Sequence, residues 1–159
     1  MKNSFFSPKG LAVSAVVAAI YAALTYALAP ISYGAVQFRI SEALTLLPIL
    51  IPQAIPGLFV GCLLANLLGG FGPADVIFGS LATLTAAICT YLLRKNRYVA
   101  ALPPVIINAI VVGIMLNVIN GLELWSSMGY VALGQIGAVY VLGLPLLKAL
   151  EKIDLSKIQ

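Results

Sequence analysis

The sequence is short of charge and has no histidine. Only 9% of its 159 residues are Asp, Glu, Lys or Arg, whereas about a quarter are charged in a soluble domain. The absence of histidine removes the commonest acid–base group and metal ligand. The two cysteines, Cys62 and Cys89, lie inside apolar runs without metal-ligand spacing, so we expect small core residues. We therefore expect no metal, no disulfide framework and no cofactor.

Apolar sequence is what the chain has in abundance. Hydrophobic residues make up 62% of it, and the mean hydropathy is +1.07. Too little polar surface is left to coat a globule, so we expect residues 1–159 to form a single membrane domain surrounded by lipid. The net charge of +4 does not indicate nucleic-acid binding, because the basic residues form short clusters between apolar spans.

Prolines and glycines divide the apolar sequence into six predicted helices. Proline ends helices by losing its N–H and crowding the preceding turn, and Gly69–Pro73 (GGFGP) is a strong turn signal. The predicted helices cover residues 11–29, 39–51, 53–68, 76–93, 99–120 and 127–150. The second rises only about 18 Å, too short to cross a bilayer alone, so neighbouring helices must bury it.

The N-terminal region also has features of a secretory signal peptide. Lys2 and Lys9 precede the first apolar run, and Ala27–Ala29 is a small-x-small site. The run is longer than the hydrophobic region of a typical signal peptide, and further spans follow it. We therefore expect a retained first helix.

The basic residues predict the topology. They form three clusters: the N-terminal tail, residues 94–97 (RKNR) and a C-terminal tail with Lys148, Lys152 and Lys157. Basic segments mark the cytoplasmic side, so an even number of spans must separate each pair of clusters. The prediction is an all-α integral membrane protein, a six-helix bundle with both termini in the cytoplasm.

The remaining ionisable residues all fall on the opposite, outer side. They are Arg39, Glu42, Asp75 and Glu123. One cation and three anions sum to −2, which predicts an outward-facing pocket that favours a cationic or donor-rich small molecule. The alternative is simple solvation of the outer loops.

The segment Val36–Leu50 is the centre of this prediction. It places Arg39 and Glu42 three residues apart, so the two side chains can meet on one helix face. Charges at the edge of hydrocarbon usually mark a functional pathway. The alternative is an ion pair that only fixes a helix end.

The preceding loop, Pro30–Phe38, is expected to form a lid over the pocket. Gly34 offers a hinge, and Tyr33 or Phe38 could cover a planar ligand. The helix after the loop is short, so a cavity must hydrate the unpaired N–H groups of its first turn.

Amide side chains extend the candidate pocket. Asn66 lies toward the outer end of the third predicted helix. Asn108 and Gln135 lie deeper, where amides bind a ligand or join helices through hydrogen bonds.

The fifth helix leads into a further polar stretch. Asn117, Asn120 and Glu123 have i, i+3, i+6 spacing, which predicts one polar face toward the ligand. Trp125 follows and is either an interfacial anchor or a stacking platform for a flat ring.

The first helix carries two rows of small residues. One row is Ser14, Ala18 and Ala22, and the adjacent row is Ala15, Ala19 and Ala23. Small residues at this spacing let another helix approach closely. The approaching helix belongs either to a partner protein or to this bundle.

Three long segments resemble one known family. They are Phe38–Leu44 (FRISEAL), Asn66–Leu84 (NLLGGFGPADVIFGSLATL) and Pro103–Gly113 (PPVIINAIVVG). They resemble the queuosine-precursor transporter (QueT) family, whose members are substrate-binding S components of energy-coupling factor (ECF) transporters, which are ABC-type importers. The resemblance extends over nearly the whole chain.

The resemblance implies a multi-pass protein of the prokaryotic cell membrane that captures a queuosine precursor, a 7-deazaguanine, from outside. It also implies partners: an ECF coupling transmembrane protein and two cytoplasmic ATPases. S components dock through alanine rows on their first helix, which matches the rows at Ala15–Ala23. The chain has no GxxxxGKS/T motif and cannot hydrolyse ATP itself, so we expect a transport subunit and not an enzyme.

The chemistry of such a ligand suits the residues. A deazaguanine presents adjacent N–H donors, two of which one carboxylate can accept, while an amide or Arg39 can bond to its carbonyl. The aminomethyl precursor also carries a cation that would favour a second carboxylate, whereas the cyano precursor does not. The sequence leaves open which carboxylate has which task, and whether Arg39 instead pairs with Glu42.

Two other functional classes are alternatives. A stand-alone secondary transporter or small channel would work without ATPases, driven by an ion gradient. An intramembrane enzyme would need a catalytic group, and the chain lacks a histidine, a paired-aspartate motif and a convincing nucleophile.

Overall fold

The computed structural model describes residues 7–32, 38–70 and 72–153. Within these ranges every regular element is a helix, which confirms the predicted all-α class. The main helices are α1 (Pro8–Ala27), α2 (Ile40–Ile49), α3 (Ala54–Gly69), α4 (Asp75–Leu92), α5 (Arg97–Asn120) and α6 (Leu124–Leu150). A short helical turn, Ala29–Ser32, follows α1.

Four of these helices, α1, α4, α5 and α6, are long and apolar enough to cross a membrane. The other two are apolar but shorter, with 10 residues in α2 and 16 in α3. Large apolar side chains such as Leu67, Val118 and Leu133 are exposed. Lipid is the solvent that suits such a surface, as the composition predicts.

The second helix, α2, is a 3-10 helix over all ten residues. A rise of about 2.0 Å per residue makes it about 20 Å long, compared with the 18 Å expected for an α-helix. Runs of this kind longer than three or four residues are uncommon because their hydrogen bonds are poorly aligned. Every residue from Ser41 to Pro48 is buried, so tertiary contacts stabilise the shape of α2.

Two of the long helices contain wide π-helical turns. In α4 the turn covers Asp75–Gly79, and in α6 it covers Gly137–Gly143. A Cβ on Gly137 would come within 2.5 Å of the Phe38 ring, and one on Gly143 within 3.1 Å of the Ala43 carbonyl oxygen. The π-helical part of α6 therefore packs closely against α2 and the residue Phe38 that precedes it.

The first and third helices pack closely because glycines face small residues. A Cβ added to Gly57 would lie 2.5 Å from the carbonyl oxygen of Ser14, and one on Gly61 would lie 2.9 Å from that of Ala18. The Ser14 hydroxyl also donates a hydrogen bond to the carbonyl of Gln53, at 2.7 Å. Glycine is required here so that the two backbones can approach each other.

This packing buries one of the two predicted small-residue rows and leaves the other exposed. Ala18 and Ala22 are buried, so internal packing occupies their row. The other row remains exposed along the helix. It consists of Ala15, Ala19 and Ala23.

Contacts between the described helices show that successive helices run in opposite directions: α3 lies parallel to α1, with Gly57 at Ser14 and Gly61 at Ala18, and antiparallel to α4, with Cys62 at Thr83 and Asn66 at Asp75. Gly70 and Gly121, with φ of 69° and 68°, end α3 and α5 in the left-handed conformation that favours glycine. The start of α1, the α4–α5 connection and the end of α6 therefore lie at one end of the bundle. The described basic residues at that end are Lys9, Arg94, Lys95, Arg97, Lys148 and Lys152.

We expect Gly57→Ala to destabilise the bundle by about 1–3 kcal/mol, because the new methyl group forces α1 away from α3. The measurement is the melting temperature of the purified chain in detergent. Gly129→Ala is the matched control, since Gly129 is an exposed helical glycine with open space where the methyl group would lie. An equal effect of the two substitutions would contradict a close α1–α3 contact.

Candidate functional site

The 3-10 geometry of α2 sorts its side chains into three columns, because residues i and i+3 eclipse one another. The first column packs toward α1 and α3, and the second toward α5 and α6. The third column contains the polar residues Glu42 and Thr45. The members of the first are Ser41, Leu44 and Leu47, and those of the second are Ala43, Leu46 and Ile49.

The carboxylate of Glu42 is 1% exposed and is held from two other helices. The Tyr21 hydroxyl of α1 donates to its Oε1 at 2.5 Å, and the Asn108 amide of α5 donates to its Oε2 at 3.3 Å. Each oxygen thus accepts one of these bonds and has the capacity for another. Such a carboxylate can accept two parallel N–H donors from a ligand.

Buried hydroxyl groups hold the backbone on both sides of this pair. Thr25 Oγ1 donates to the carbonyl of Tyr21 at 2.8 Å and lies 2.6 Å from the hydroxyl of Ser41. Thr45 Oγ1 donates to the carbonyl of Glu42 at 2.6 Å. The contact between Thr25 and Ser41 joins α1 to α2, while the other two bonds lie within one helix each, and together they hold the tyrosine and the glutamate in place.

Arg39 immediately precedes α2 and is 6% exposed. Its carbonyl accepts a hydrogen bond from the Glu42 N–H at 3.0 Å. Its guanidinium charge acts on the carboxylates of both Glu42 and Asp75. A nearby cation offsets part of the cost of burying an anion. The direct side-chain ion pair between Arg39 and Glu42 stays a prediction.

A second group of polar side chains joins α3 to α4. The fully buried Cys62 Sγ accepts hydrogen bonds from Thr83 Oγ1 at 3.3 Å and from Asn66 Nδ2 at 3.5 Å. Asn66 Nδ2 also donates to the Asp75 carbonyl at 2.9 Å. The other amide atom, Asn66 Oδ1, is buried and accepts no hydrogen bond from the described residues.

The two groups are neighbours in the bundle. The charges of Arg39 and Glu42 both act on the Cys62 thiol, and Cys62 is bonded to Asn66. We call this region the polar cluster. It consists of Tyr21, Arg39, Glu42, Cys62, Asn66, Thr83 and Asn108, with the partly exposed Asp75 at its edge.

Glu123 is exposed at the start of α6, where it caps the helix. Its carboxylate accepts hydrogen bonds from the backbone N–H groups of Trp125 at 3.2 Å and Ser126 at 2.6 Å. The Ser126 hydroxyl, the Ser126 N–H and the Trp125 N–H, in that order of effect, lower the pKa of Glu123 below its usual value. Trp125 itself is 76% exposed, as an interfacial anchor would be.

One of the two outer asparagines of α5 serves the connection to α6. Asn117 Nδ2 donates to the carbonyl of Leu122 at 2.6 Å, and Asn120 is exposed as the last residue of α5. The predicted continuous face of Asn117, Asn120 and Glu123 is wrong, because Gly121 turns the backbone out of the helix. Within the described ranges no hydrogen bond or ion pair joins these residues to the polar cluster.

Gln135 is 3% exposed and lies on α6, one turn before the buried residues Ala138 and Val139. Its Oε1 accepts no hydrogen bond from the part of the chain that the structure describes. The Phe38 ring packs nearby on Gly137. Gln135 therefore carries a spare acceptor one turn before Val139, which packs in the core with Leu46 of α2.

The predicted lid falls mostly outside the described residues, including Tyr33 and Gly34. Of its described residues, Pro30 lies in the helical turn Ala29–Ser32. Phe38 lies against Gly137 of α6.

Sequence reasoning missed Tyr21, Thr25, Cys62 and Thr83. One signal was available: Tyr21 and Thr25 continue the inward row of Ser14 and Ala18 at helical spacing. In hydrocarbon such polar positions usually face other helices. The described residues contain no group of three His, Cys, Asp or Glu that could hold a metal ion.

Comparison with known proteins gives two matches. The sequence model of a family described as QueT transporter matches residues 11–152. A curated relative from Lactococcus lactis, named queuosine precursor transporter QueT, is 43% identical over 72 residues. The alignment covers 44% of this chain and 42% of the relative, less than half of its length. No solved structure matched the chain.

We expect Tyr21→Phe to lower the stability of the ligand-free chain by about 1–3 kcal/mol, because the buried Glu42 loses a hydrogen-bond donor. The measurement is the melting temperature in detergent. Tyr130→Phe is the matched control, because Tyr130 is 51% exposed. Equal melting temperatures for both variants and the unmodified chain would show that the Tyr21–Glu42 bond does not hold α1 and α2 together.

Proposed function

The chain belongs to the QueT transporter family, and we propose that it captures a queuosine precursor, a 7-deazaguanine, for uptake across the cell membrane. The observation that carries this proposal is the buried Glu42 carboxylate, which retains acceptor capacity on both oxygens while Tyr21 and Asn108 hold it in place. The curated relative's name, queuosine precursor transporter, supports the same ligand class.

In this proposal Glu42 accepts the two adjacent N–H donors on the Watson–Crick edge of the deazaguanine. Parallel hydrogen bonds to a charged acceptor give both strength and orientation. The low dielectric of a buried site strengthens them further. A purine analogue without this pair of donors leaves one carboxylate oxygen without a ligand partner, which the site would reject.

The other polar residues complete the proposed site. The Arg39 guanidinium and the Asn108 amide are donors for the ligand carbonyl, while Asn66 and Gln135 offer buried oxygens to ligand N–H groups. Asp75 adds a carboxylate at the edge. Asn117 serves the turn and Glu123 the helix cap instead. Neither they nor the exposed Asn120 and Trp125 belong to the proposed site.

The proposed orientation places the polar cluster on the outer side. All six helical segments then cross or enter the bilayer, with both termini in the cytoplasm. The described basic residues gather at one end of the bundle, as the positive-inside rule requires. The ligand site would open at the opposite end, where α1 ends and α2 begins.

We propose further that the chain is the S component of an ECF transporter. The coupling transmembrane protein would dock on the exposed row Ala15, Ala19 and Ala23, beside an apolar groove of about 620 Å³ between α1, α3 and α4. Two cytoplasmic ATPases would supply the energy. The groove is lined by Leu11, Ser14, Ala15, Ala18, Ile55, Pro56, Gly57, Phe59, Val60, Leu84 and Ile88.

The alternative is a stand-alone secondary transporter or channel. Co-purification distinguishes the two: a tagged chain expressed in its native membrane should bring down a coupling protein and ATPases. Uptake into vesicles that contain only the purified chain, driven by an ion gradient, would favour the alternative.

We expect Glu42→Gln to weaken binding of aminomethyl-7-deazaguanine by about 2–5 kcal/mol, because the amide replaces one acceptor oxygen with a donor. Arg39→Ala should have a similar effect, and Arg39→Lys should restore affinity only partly since lysine lacks the planar fork. The measurement is calorimetric titration of the purified chain, alongside its melting temperature.

Glu123→Gln is the matched control for these variants. It removes one outer carboxylate but lies outside the polar cluster, so the affinity should be unchanged. If Glu42→Gln and Arg39→Ala fold poorly but bind normally once folded, the pair is a structural clamp and the ligand site lies elsewhere.

The docking proposal predicts different effects for two neighbouring alanines. Ala19→Leu, on the exposed row, should abolish transport and co-purification of the coupling protein while ligand affinity of the chain alone is retained. Ala18→Leu should instead lower the melting temperature, because Ala18 is 5% exposed and packs at α3. Full transport by Ala19→Leu would remove the exposed row from the docking surface.

A further inference from the structure

The charges near the polar cluster do not balance. Glu42 and Asp75 are two anions, and Arg39 is one cation whose charge acts on both. Glu123 does not contribute, since it is exposed and caps α6. With these groups ionised the cluster carries a net charge of −1, which one positive charge on a ligand would neutralise.

The uncompensated negative charge is that of Asp75, on the side of the polar cluster formed by α3 and α4. Glu42 already accepts hydrogen bonds from Tyr21 and Asn108. The carboxylate of Asp75, in contrast, accepts no hydrogen bond from any residue in the described ranges. Asp75 stands at the first position of the π-helical turn of α4, at the edge of the cluster.

A second acceptor lies beside Asp75. Asn66 is 1% exposed, and its amide nitrogen is held by the Asp75 carbonyl at 2.9 Å. The same atom would lie 2.9 Å from a Cβ on Gly79, so glycine is required at that position for the amide to fit. With Nδ2 fixed, Oδ1 remains a buried acceptor without a partner among the described residues.

Open space adjoins Asn66. A cleft of about 420 Å³ lies between the outer ends of α3 and α4, and Asn66 is its only polar lining residue among those described. Its other lining residues are Leu67, Gly70, Gly72, Pro73, Val76 and Ile77. Pro73 and Val76 line this cleft and flank Asp75 in sequence, so the cleft lies where α4 begins.

We propose that Asp75 and the Asn66 Oδ1 form an ammonium subsite that makes the protein selective for a monocationic ligand. This inference rests on the proposed function and assigns the end of the ligand that Glu42 does not bind. An ammonium group has three donors and one charge. It would satisfy the unpartnered amide oxygen, bond to the Asp75 carboxylate and neutralise the cluster. Among 7-deazaguanines, the subsite selects those with an aminomethyl group over neutral ones.

The test compares two ligands that differ mainly in charge, aminomethyl-7-deazaguanine and hydroxymethyl-7-deazaguanine. Calorimetry on the purified full chain should show about tenfold tighter binding of the aminomethyl compound, the effect of one partly buried charge pair. Asp75→Asn should remove this preference by weakening only the aminomethyl compound. Asp75→Glu, which keeps the charge, should retain most of it.

Glu123→Gln controls for the general effect of removing a negative charge from the outer side, and it should preserve the preference. Equal affinity of the unmodified chain for both ligands, or an equal loss of both in Asp75→Asn, would overturn the ammonium subsite and leave the proposed function intact. If the unmodified chain binds no deazaguanine at all, the proposed function fails and the subsite with it.

Discussion

The burial of the Glu42 carboxylate is the constraint on which the rest of the structure depends. A carboxylate in hydrocarbon is costly unless other groups replace its water. Here the replacements come from three places: the Tyr21 hydroxyl on α1, the Asn108 amide on α5 and the Arg39 charge at the start of α2. Moving any of these elements would remove a partner from a buried charge, so one side chain fixes the arrangement of three helices.

The 3-10 form of α2 follows from the same constraint. Three residues per turn give α2 three straight columns, each with different neighbours, whereas an α-helix would rotate residue i+3 by about 60° from residue i and so turn residues of one column toward different neighbours. Poor hydrogen-bond geometry disfavours ten residues of this form. Close packing compensates: Gly137 and Gly143 bring the π-helical part of α6 against Phe38 and Ala43.

The sequence predicted the parts of this structure that depend on composition and local chemistry. Low charge and long apolar runs predict an all-α fold, and the isolated pair Arg39 and Glu42 marks the region where α1, α2 and α5 meet. The partners of Glu42 could not be predicted in the same way. A tyrosine in an alanine-rich helix can equally well be an apolar core residue, and only the position of its hydroxyl group shows that it donates to Glu42. The cap at Glu123 was missed because carboxylates that cap helices and carboxylates that bind ligands have the same sequence signature.

The first helix connects the two surfaces that the proposed function requires. Its inner face holds Tyr21 on Glu42 and is fixed to α3 at Gly57 and Gly61, while its outer face exposes the row that includes Ala19. Because α1 packs so closely on α3, the two helices must move together. In the proposed function a ligand shares the Glu42 oxygens with Tyr21 and Asn108, so its binding bears on α1 through the Tyr21 hydroxyl. Coupling between sites is reciprocal, so a partner that shifts α1 from the outer face must alter ligand affinity in the same measure.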